Sequence, residues 1–191
     1  WLNSGLGKIF KITKDGKPAP GNPFLDQKDA MPEIFAYGLR NPQSMELHPV
    51  TGELWEAEFG PRGGDELNLI KAGKNYGWPV ITYGIEYFGP KIGDGIQQKP
   101  GMEQPVYYWD PVVSPSGMAF YKGNSIPEWK NNLFIGGLGG AHIVRLVIVR
   151  CTSCCATRLH SSARIRSCSE CNACRRCRNN RGALDHLHQP S

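Results

Sequence analysis

The chain has 191 residues and a formal net charge of +5, and its last 41 residues supply both that charge and all seven cysteines. Residues 1–150 hold 15 Lys and Arg against 15 Asp and Glu, whereas residues 151–191 hold seven Arg, no Lys and two acids. The charge therefore gives no reason to expect nucleic-acid binding by residues 1–150, and the 19 aromatic residues, all in that stretch, exclude a disordered chain there. We call residues 1–150 the body and residues 151–191 the tail.

The body has the length of one domain or part of one. It opens at Trp1 without an initiator Met or the basic segment of a signal peptide, so we interpret the chain as a fragment that begins within a domain. No membrane span is expected, because the most apolar stretch, 132–149, is interrupted by His142 and Arg145.

Short apolar segments separated by clusters of Gly, Pro, Asn and Asp fill the body, and no window shows the apolar repeat of an amphipathic helix. This pattern predicts an all-β fold. In chain order, the ten predicted strands cover 8–12, 33–37, 44–48, 53–58, 66–70, 79–83, 105–109, 117–121, 132–135 and 142–149.

Strands of this number and length can form a sandwich, a barrel or part of a β-propeller. The aromatic-rich strand ends, with the phrases TGELW at 51–55 and SGMAFY at 116–121, favour a propeller built from four-stranded blades. The body would then hold about two and a half blades, fewer than a closed ring needs.

Several long segments carry a family resemblance: YGLRNPQ at 37–43, GELWEAEFGPRGGDELNLI at 52–70 and NYGWP at 75–79, followed by WDP at 109–111 and LGG at 138–140. In this order they resemble the soluble quinoprotein glucose/sorbosone dehydrogenases, most closely the bacterial aldose sugar dehydrogenases. The resemblance runs from about residue 7 to about residue 147. It implies a six-bladed β-propeller that binds pyrroloquinoline quinone (PQQ) and calcium and oxidises the anomeric carbon of aldoses to the lactone.

The resemblance also implies a set of cofactor-binding residues. PQQ is a flat tricarboxylate, which suits the forked guanidinium of an arginine, neutral amides, aromatic walls and glycines that admit a close approach. From the residues alone, a turn cap, core packing and strand bends explain the same side chains. The set comprises Arg40, Asn41, Gln43, Tyr87, Trp109, Leu138, Gly139 and Gly140.

Two calcium sites are implied as well. The backbone carbonyls of Gly60 and Pro61 would hold the ion that polarises the quinone, since calcium takes several oxygen ligands. Glu66 and the carbonyl of Tyr76 would form the second site, with Glu86 as a further candidate. A turn chosen for its φ values and a solvated glutamate are the alternatives.

No catalytic residue is assigned. The resemblance implies a histidine base that takes the proton of the anomeric hydroxyl, and it places that base in a segment upstream of this sequence. Phe59 stands where the aldose branch usually has His. Arg164-Ile165-Arg166 lacks the Asp that follows the family's Arg-x-Arg, so it is not assigned to the cofactor. We therefore expect no turnover from the fragment alone.

The tail contains Cys151-x2-Cys154 and Cys168-x2-Cys171, the spacing of a four-cysteine zinc site, and a cysteine at every third residue from 168 to 177. However, it has no aromatic residue, and its Arg, Cys and Ser without Lys are typical of out-of-frame GC-rich DNA. We interpret residues 151–191 as an irregular, frameshifted or disordered tail, with a zinc module as the alternative.

The expected function is thus an oxidoreductase with an aldose as substrate, an electron acceptor as partner and no nucleic acid. The alternatives are a non-catalytic propeller that binds sugar or protein, and a zinc-dependent nucleic-acid binder that uses the tail. The family resemblance implies a periplasmic or secreted location, with which a cysteine-free body is compatible.

Overall fold

The computed structural model describes residues 2–150 and 164–167. The cysteine spacings of the tail lie outside the described residues, and so do the other tail predictions apart from residues 164–167. Among the described residues, no helix has the length and apolar character needed to cross a membrane.

The described chain is a succession of short strands. One 3-10 helix, Pro127–Trp129, is the only helix in residues 2–150 and 164–167, which confirms the all-β prediction. The strands are β1 (Lys8–Phe10), β2 (Ile34–Tyr37), β3 (Pro42–Leu47), β4 (Leu54–Glu58), β5 (Asp65–Ile70), β6 (Tyr107–Trp109), β7 (Pro115–Phe120), β8 (Leu133–Gly137), β9 (His142–Arg150) and β10 (Arg164–Ser167).

These strands form three sheets. β1 pairs with β2, and β3, β4, β5 and β6 follow one another in a four-stranded antiparallel sheet. The third sheet contains antiparallel β7, β8 and β9, and β10 lies parallel to β9 at its edge. β10 is thus a regular strand at four positions of the tail that we expected to be irregular.

The strand predicted at 79–83 is wrong. The amides of Val80 and Ile81 both donate to the carbonyl of Gly77, so the chain turns where the apolar pattern indicated an extended segment. Pro79 has no amide to donate to a neighbouring strand. Ile81 pairs with Ile96 in an isolated bridge, and residues 71–106 form the long connection from β5 to β6.

Two apolar layers hold the sheets together. One lies between the β3–β6 sheet and the β7–β10 sheet and contains Trp55, Ala57, Leu67, Phe120, Leu133, Ile135 and Leu146. The other packs the β1–β2 sheet against the opposite face of β4 and β5 and contains Ile9, Ala36, Leu39, Ile70 and Tyr76. Full burial of each large apolar side chain stabilises the fold by about 1.5–3 kcal/mol.

The central sheet is therefore covered on both faces, and strand alternation decides which face each side chain reaches. Trp55, Ala57 and Leu67 face the β7–β10 sheet. The alternate positions of β4 and β5 carry polar groups instead, namely Glu56, Glu58, Glu66 and Asn68. Consecutive residues Asp65 and Glu66 consequently point to opposite sides of the sheet, each toward a different loop cluster.

Candidate functional site

A small pocket lies where β4 ends and β5 begins. Its volume of about 10 Å³ is roughly that of one water molecule or ion. All four residues predicted to bind calcium lie around it, together with the predicted cofactor ligand Arg40. The complete lining is Arg40, Glu58, Phe59, Gly60, Pro61, Gly64, Glu66, Tyr76, Trp78, Ile81 and Thr82. We call this the ion-sized pocket.

Arg40 presents its guanidinium at this pocket. Its Nη1 donates to the carbonyls of Phe59 at 3.1 Å and Gly60 at 3.0 Å, and its Nη2 donates to the hydroxyl of Tyr87 at 3.4 Å. The guanidinium carbon lies 5.2 Å from the ring centre of Trp78, within cation–π range. Tyr87, which is 62% exposed, thus joins the predicted group around Arg40, while Trp78 was not predicted from the sequence.

Glu58 fixes the backbone that carries Arg40. Its Oε2 accepts hydrogen bonds from the amides of Arg40 at 2.7 Å and Asn41 at 2.9 Å, and the side chain is only 4% exposed. This residue was missed by the sequence analysis. The available signal was the pair of glutamates two residues apart, Glu56 and Glu58, in a strand whose other positions, including Trp55, are apolar.

Three carboxyl groups share one amide beside the pocket. Asn68 Nδ2 lies 3.1 Å from Glu56 Oε2, 3.2 Å from Glu58 Oε1 and 3.4 Å from Glu66 Oε2. An amide NH₂ has two hydrogens, so it cannot satisfy three carboxylates at once.

Burial raises the pKa of each of these carboxyls. It takes the pKa of Glu58 to about 7, although hydrogen bonds from the amides of Asn41 and Arg40 oppose the rise. For Glu56 and Glu66, burial and then repulsion from Glu58 raise the pKa well above the ordinary value. A cation beside Glu66 would offset both the burial and the repulsion.

The oxygen donors around the ion-sized pocket fit a hard cation such as calcium, which takes carboxylate and backbone carbonyl ligands. Within residues 2–150, no three His, Cys, Asp or Glu side chains are arranged to hold a metal ion, so the carbonyls of Gly60, Pro61 and Tyr76 would have to supply much of the coordination. A Cβ on Gly60 would come within 2.3 Å of the Gly64 backbone, so the loop admits only glycine there. Glu86 is exposed and does not line the pocket.

A second, larger pocket lies beside β6 and β9. Its volume of about 550 Å³ is in the range of small-molecule sites, and it opens to solvent. Predicted residues Trp109, Gly139 and Gly140 lie here, and a Cβ on Gly139 would come within 3.3 Å of two backbone carbonyls. The complete lining is Trp109, Pro111, Val112, Val113, Gly139, Gly140, His142 and Val144. We call this the ligand-sized pocket.

The remaining predicted residues, Leu138, Asn41 and Gln43, line neither the ion-sized nor the ligand-sized pocket. Leu138 is next to the ligand-sized pocket and is 66% exposed, with its amide donating to the carbonyl of Ser114 at 2.9 Å. Asn41 and Gln43 bind each other on the surface at the start of β3, where Gln43 Nε2 donates to Asn41 Oδ1 at 2.9 Å. The structure therefore separates these two amides from both pockets.

Asp65 connects the two pockets. Its Oδ1 accepts from the amide of Gly60 at 2.9 Å, and its Oδ2 accepts from the amides of Val113 at 2.9 Å and Ser114 at 2.6 Å. The residue is 1% exposed, and burial raises its pKa while the three amides oppose the rise. Sequence analysis missed it, because its partners lie 5, 48 and 49 residues away.

Comparison with known proteins gives a consistent family. The family model described as Glucose / Sorbosone dehydrogenase matches residues 2–172. Aldose sugar dehydrogenase YliI of Escherichia coli (strain K12) is 45% identical over 144 residues, which cover 75% of this chain and 39% of that protein. The chain thus spans about two fifths of the length of this relative.

Solved structures agree. The soluble aldose sugar dehydrogenase from Escherichia coli in the apo form is similar with a TM-score of 0.72 at 43% identity, over 75% of this chain and 42% of that one. The PQQ-bound form of aldose sugar dehydrogenase from Streptomyces coelicolor gives a TM-score of 0.53 at 35% identity, over 73% of this chain and 34% of that one.

Proposed function

The chain belongs to the Glucose / Sorbosone dehydrogenase family, and from this we propose that it is part of an oxidoreductase that oxidises the anomeric carbon of aldose sugars to lactones with PQQ and calcium. The observation that carries the proposal is the position of Arg40. Its guanidinium lies at an ion-sized pocket with carbonyl and carboxylate oxygens, and Asp65 connects that pocket to a ligand-sized one. We also propose that the three sheets belong to successive blades of a six-bladed propeller.

The ion-sized pocket is the proposed calcium region. The carbonyls of Gly60 and Pro61 would hold the ion next to the cofactor. A second ion, held by Glu66 and the carbonyl of Tyr76, would need the pocket to widen, because its volume of about 10 Å³ is roughly that of one ion. Calcium, when bound, supplies Lewis acidity that polarises a quinone oxygen. Glu66 would also lose much of its repulsion from Glu58 when a cation binds.

The proposed cofactor region spans both pockets. Arg40 would bind a PQQ carboxylate through its fork, with Tyr87 holding the guanidinium in place. Trp109, Gly139 and Gly140 would shape the ligand-sized pocket around a flat ring. Leu138, Asn41 and Gln43 would contact the rim. None of the three lines a pocket, and the surface amides of Asn41 and Gln43 would have to move toward it.

Removal of the hydroxyl proton of the sugar needs a base. We assign none of the described residues to that role. In the proposal, a histidine from a segment upstream of this sequence supplies it, so residues 1–191 alone should not turn over. The aldose and an electron acceptor are the proposed partners, and a periplasmic or secreted location is proposed.

The test uses the full-length gene product loaded with PQQ and calcium, with dye reduction by aldoses as the readout. We expect turnover that Arg40→Lys lowers at least about tenfold, because lysine lacks the fork. Arg145→Lys is the matched control: Arg145 also lies over a tryptophan, Trp129 at 5.6 Å, and lines neither pocket. Sugar binding without dye reduction would favour a non-catalytic propeller, and glucose oxidation by residues 1–191 alone would contradict the assignment of the base.

A further inference from the structure

One buried carboxylate joins the loops of the two pockets. Asp65 begins β5 and faces the β7–β10 sheet, while its neighbour Glu66 faces the ion-sized pocket. Through its two oxygens Asp65 accepts three backbone hydrogen bonds, one from Gly60 and two from Val113 and Ser114. The donors belong to two loops that precede strands of different sheets, so the carboxylate fixes one loop relative to the other.

The hydrogen bonds continue from these loops into the proposed cofactor residues. The carbonyl of Ser114 accepts from the amide of Leu138 at 2.9 Å, and that of Val113 accepts from the amide of Gly139 at 3.0 Å. On the other side, Gly60 carries a carbonyl that we propose as a calcium ligand. A continuous path of hydrogen bonds therefore runs from the calcium loop through the Asp65 carboxylate to the backbone of residues 138–139.

Ser114, whose amide donates to Asp65, has an unfavourable backbone conformation. Its φ of 51° lies in the left-handed region, which costs a non-glycine residue about 1–2 kcal/mol. The shortest of the Asp65 hydrogen bonds, 2.6 Å, holds the amide of this residue. Charge-assisted hydrogen bonds are about twice as strong as neutral ones, which is enough to maintain such a conformation.

We infer that Asp65 is a positioning residue that sets the distance between the calcium-binding carbonyls of residues 60–61 and the cofactor segment 138–140, so that an ion bound at Gly60 orders residues 113–114 and 138–139. The inference rests on the proposed function. Asparagine cannot replace Asp65, because its NH₂ group would face amide donors in place of one carboxylate oxygen.

The first test needs no variant. Amide hydrogen exchange of the 191-residue chain is followed by NMR with and without calcium chloride, with the amide of Lys130 in the 3-10 helix region as the control. We expect calcium to slow exchange at Gly60, and at Val113, Ser114 and Gly139, by at least about tenfold more than at Lys130, whose rate reports the general stabilisation of the fold. Slowing at Gly60 beyond that at Lys130, without such slowing at 113–114 and 139, would overturn the inference alone. No effect of calcium at Gly60 would overturn the proposed calcium site and the inference with it.

The second test uses Asp65→Asn, with Asp94→Asn as the control, since Asp94 is exposed. The quantity compared is the ratio of the slowing by calcium at Gly139 to the slowing at Gly60. We expect this ratio to fall below about one fifth of its original value in Asp65→Asn and to stay unchanged in Asp94→Asn. A general loss of stability would speed exchange at Lys130 too and would leave this ratio unchanged. An unchanged ratio in a folded Asp65→Asn protein would overturn the inference. If that protein does not fold, the first test, which needs no variant, decides the inference.

Discussion

Glu58 shows how a single buried carboxyl group positions a neighbouring side chain through backbone hydrogen bonds. Its Oε2 accepts from the amides of Arg40 and Asn41, and its Oε1 lies near Asn68 Nδ2. The chain can therefore place the Arg40 guanidinium at the ion-sized pocket only while the backbone amide of Arg40 is satisfied.

Glu58→Ala should lower the free energy of unfolding by about 2 kcal/mol or more, because it leaves two backbone donors without a partner. Glu58→Gln keeps an acceptor oxygen at the same place and should cost less than about 1 kcal/mol. Urea unfolding at pH 6 measures both values. Equal losses for the two variants would show that the oxygen of Glu58 does not stabilise this loop.

At the residue scale, the structure brings together only some of the residues that the motifs indicated, and their roles stay predictions. Arg40, Gly60, Pro61, Glu66 and Tyr76 lie around one pocket, whereas Asn41 and Gln43, from the same motif as Arg40, line neither pocket. The structural supports were not predictable, because the amides that Glu58 and Asp65 satisfy lie 17 to 49 residues away, apart from that of Gly60. A sequence pattern shows where a carboxylate is buried and does not show which distant amide needs it.

At the element scale, the acids buried between two sheets on β4 and β5 make the stability of the fold depend on pH. Their register places Glu56 opposite Asn68 and Glu58 opposite Glu66. Burial and mutual repulsion raise the pKa of Glu56 above its ordinary value of 4.5. The folded state therefore keeps a proton at pH values where the unfolded state has released it, and stability falls as the pH rises.

The folded chain should thus be more stable at pH 5.5 than at pH 8. The decline begins above about pH 4.5 and continues through the pKa of Glu58, about 7. Each unit by which the folded pKa exceeds the unfolded pKa costs about 1.4 kcal/mol at high pH. Glu56→Gln cannot release a proton, so its stability should depend less on pH. Urea unfolding between pH 5.5 and 8 tests this, and parallel curves for the two proteins would refute the role of Glu56.

The junction between β2 and the loop after β5 depends on Gly38. Gly38 has a φ of 76°, and a Cβ there would lie 2.1 Å from Asn75 Oδ1 and 2.7 Å from the amide of Gly77. Gly52 has a similar φ of 68° with nothing within 4 Å of the same position. The two glycines therefore share a conformational requirement and differ in crowding.

Gly52→Ala should cost about 1–2 kcal/mol from the positive φ alone. Gly38→Ala should cost at least about 2 kcal/mol more, because Asn75 and the backbone of Gly77 would have to shift. The difference between the unfolding free energies of the Gly38→Ala and Gly52→Ala proteins measures the cost of crowding between Gly38 and residues 75–77. A difference below about 0.5 kcal/mol would mean that the loop adjusts freely.

Alternation predicted most strands correctly but not their limits. Nine of the ten predicted segments overlap strands β1 to β9, because turn residues lie near their ends and apolar positions repeat every second residue. The segment 79–83 has the same apolar character, yet a turn at Gly77 takes its place. The local hydrogen bonds from Val80 and Ile81 to Gly77 replace the extended conformation there, and a bond from the amide of Trp78 to the carbonyl of the distant Gly38 holds the same segment.

At the scale of the whole molecule, the site lies where the sheets meet. The β3–β6 sheet is covered on both faces, so the ends of β4 and β5 are the places where its polar residues can reach loops from either side. The ion-sized pocket draws residues from the segment after β2, from the β4–β5 loop and from the loop after β5. An ion bound there would add to the hydrogen bonds that already join these segments, such as those from Arg40 to the carbonyls of Phe59 and Gly60, so ligand binding should be visible in global stability.

Calcium should accordingly raise the melting temperature of the chain. A ligand at a hundred times its dissociation constant stabilises the folded state by about 2.7 kcal/mol, which corresponds to roughly 5–10 °C for a chain of this size.

Magnesium should give less than about a third of that shift, because it prefers a small octahedral site and retains its water. Glu66→Gln should reduce the calcium shift, and Glu128→Gln, a change at an exposed glutamate outside the pocket, should leave it unchanged. Differential scanning calorimetry with each metal chloride measures these shifts, and equal effects of the two metals, or of the two variants, would rule out a specific calcium site at the ion-sized pocket.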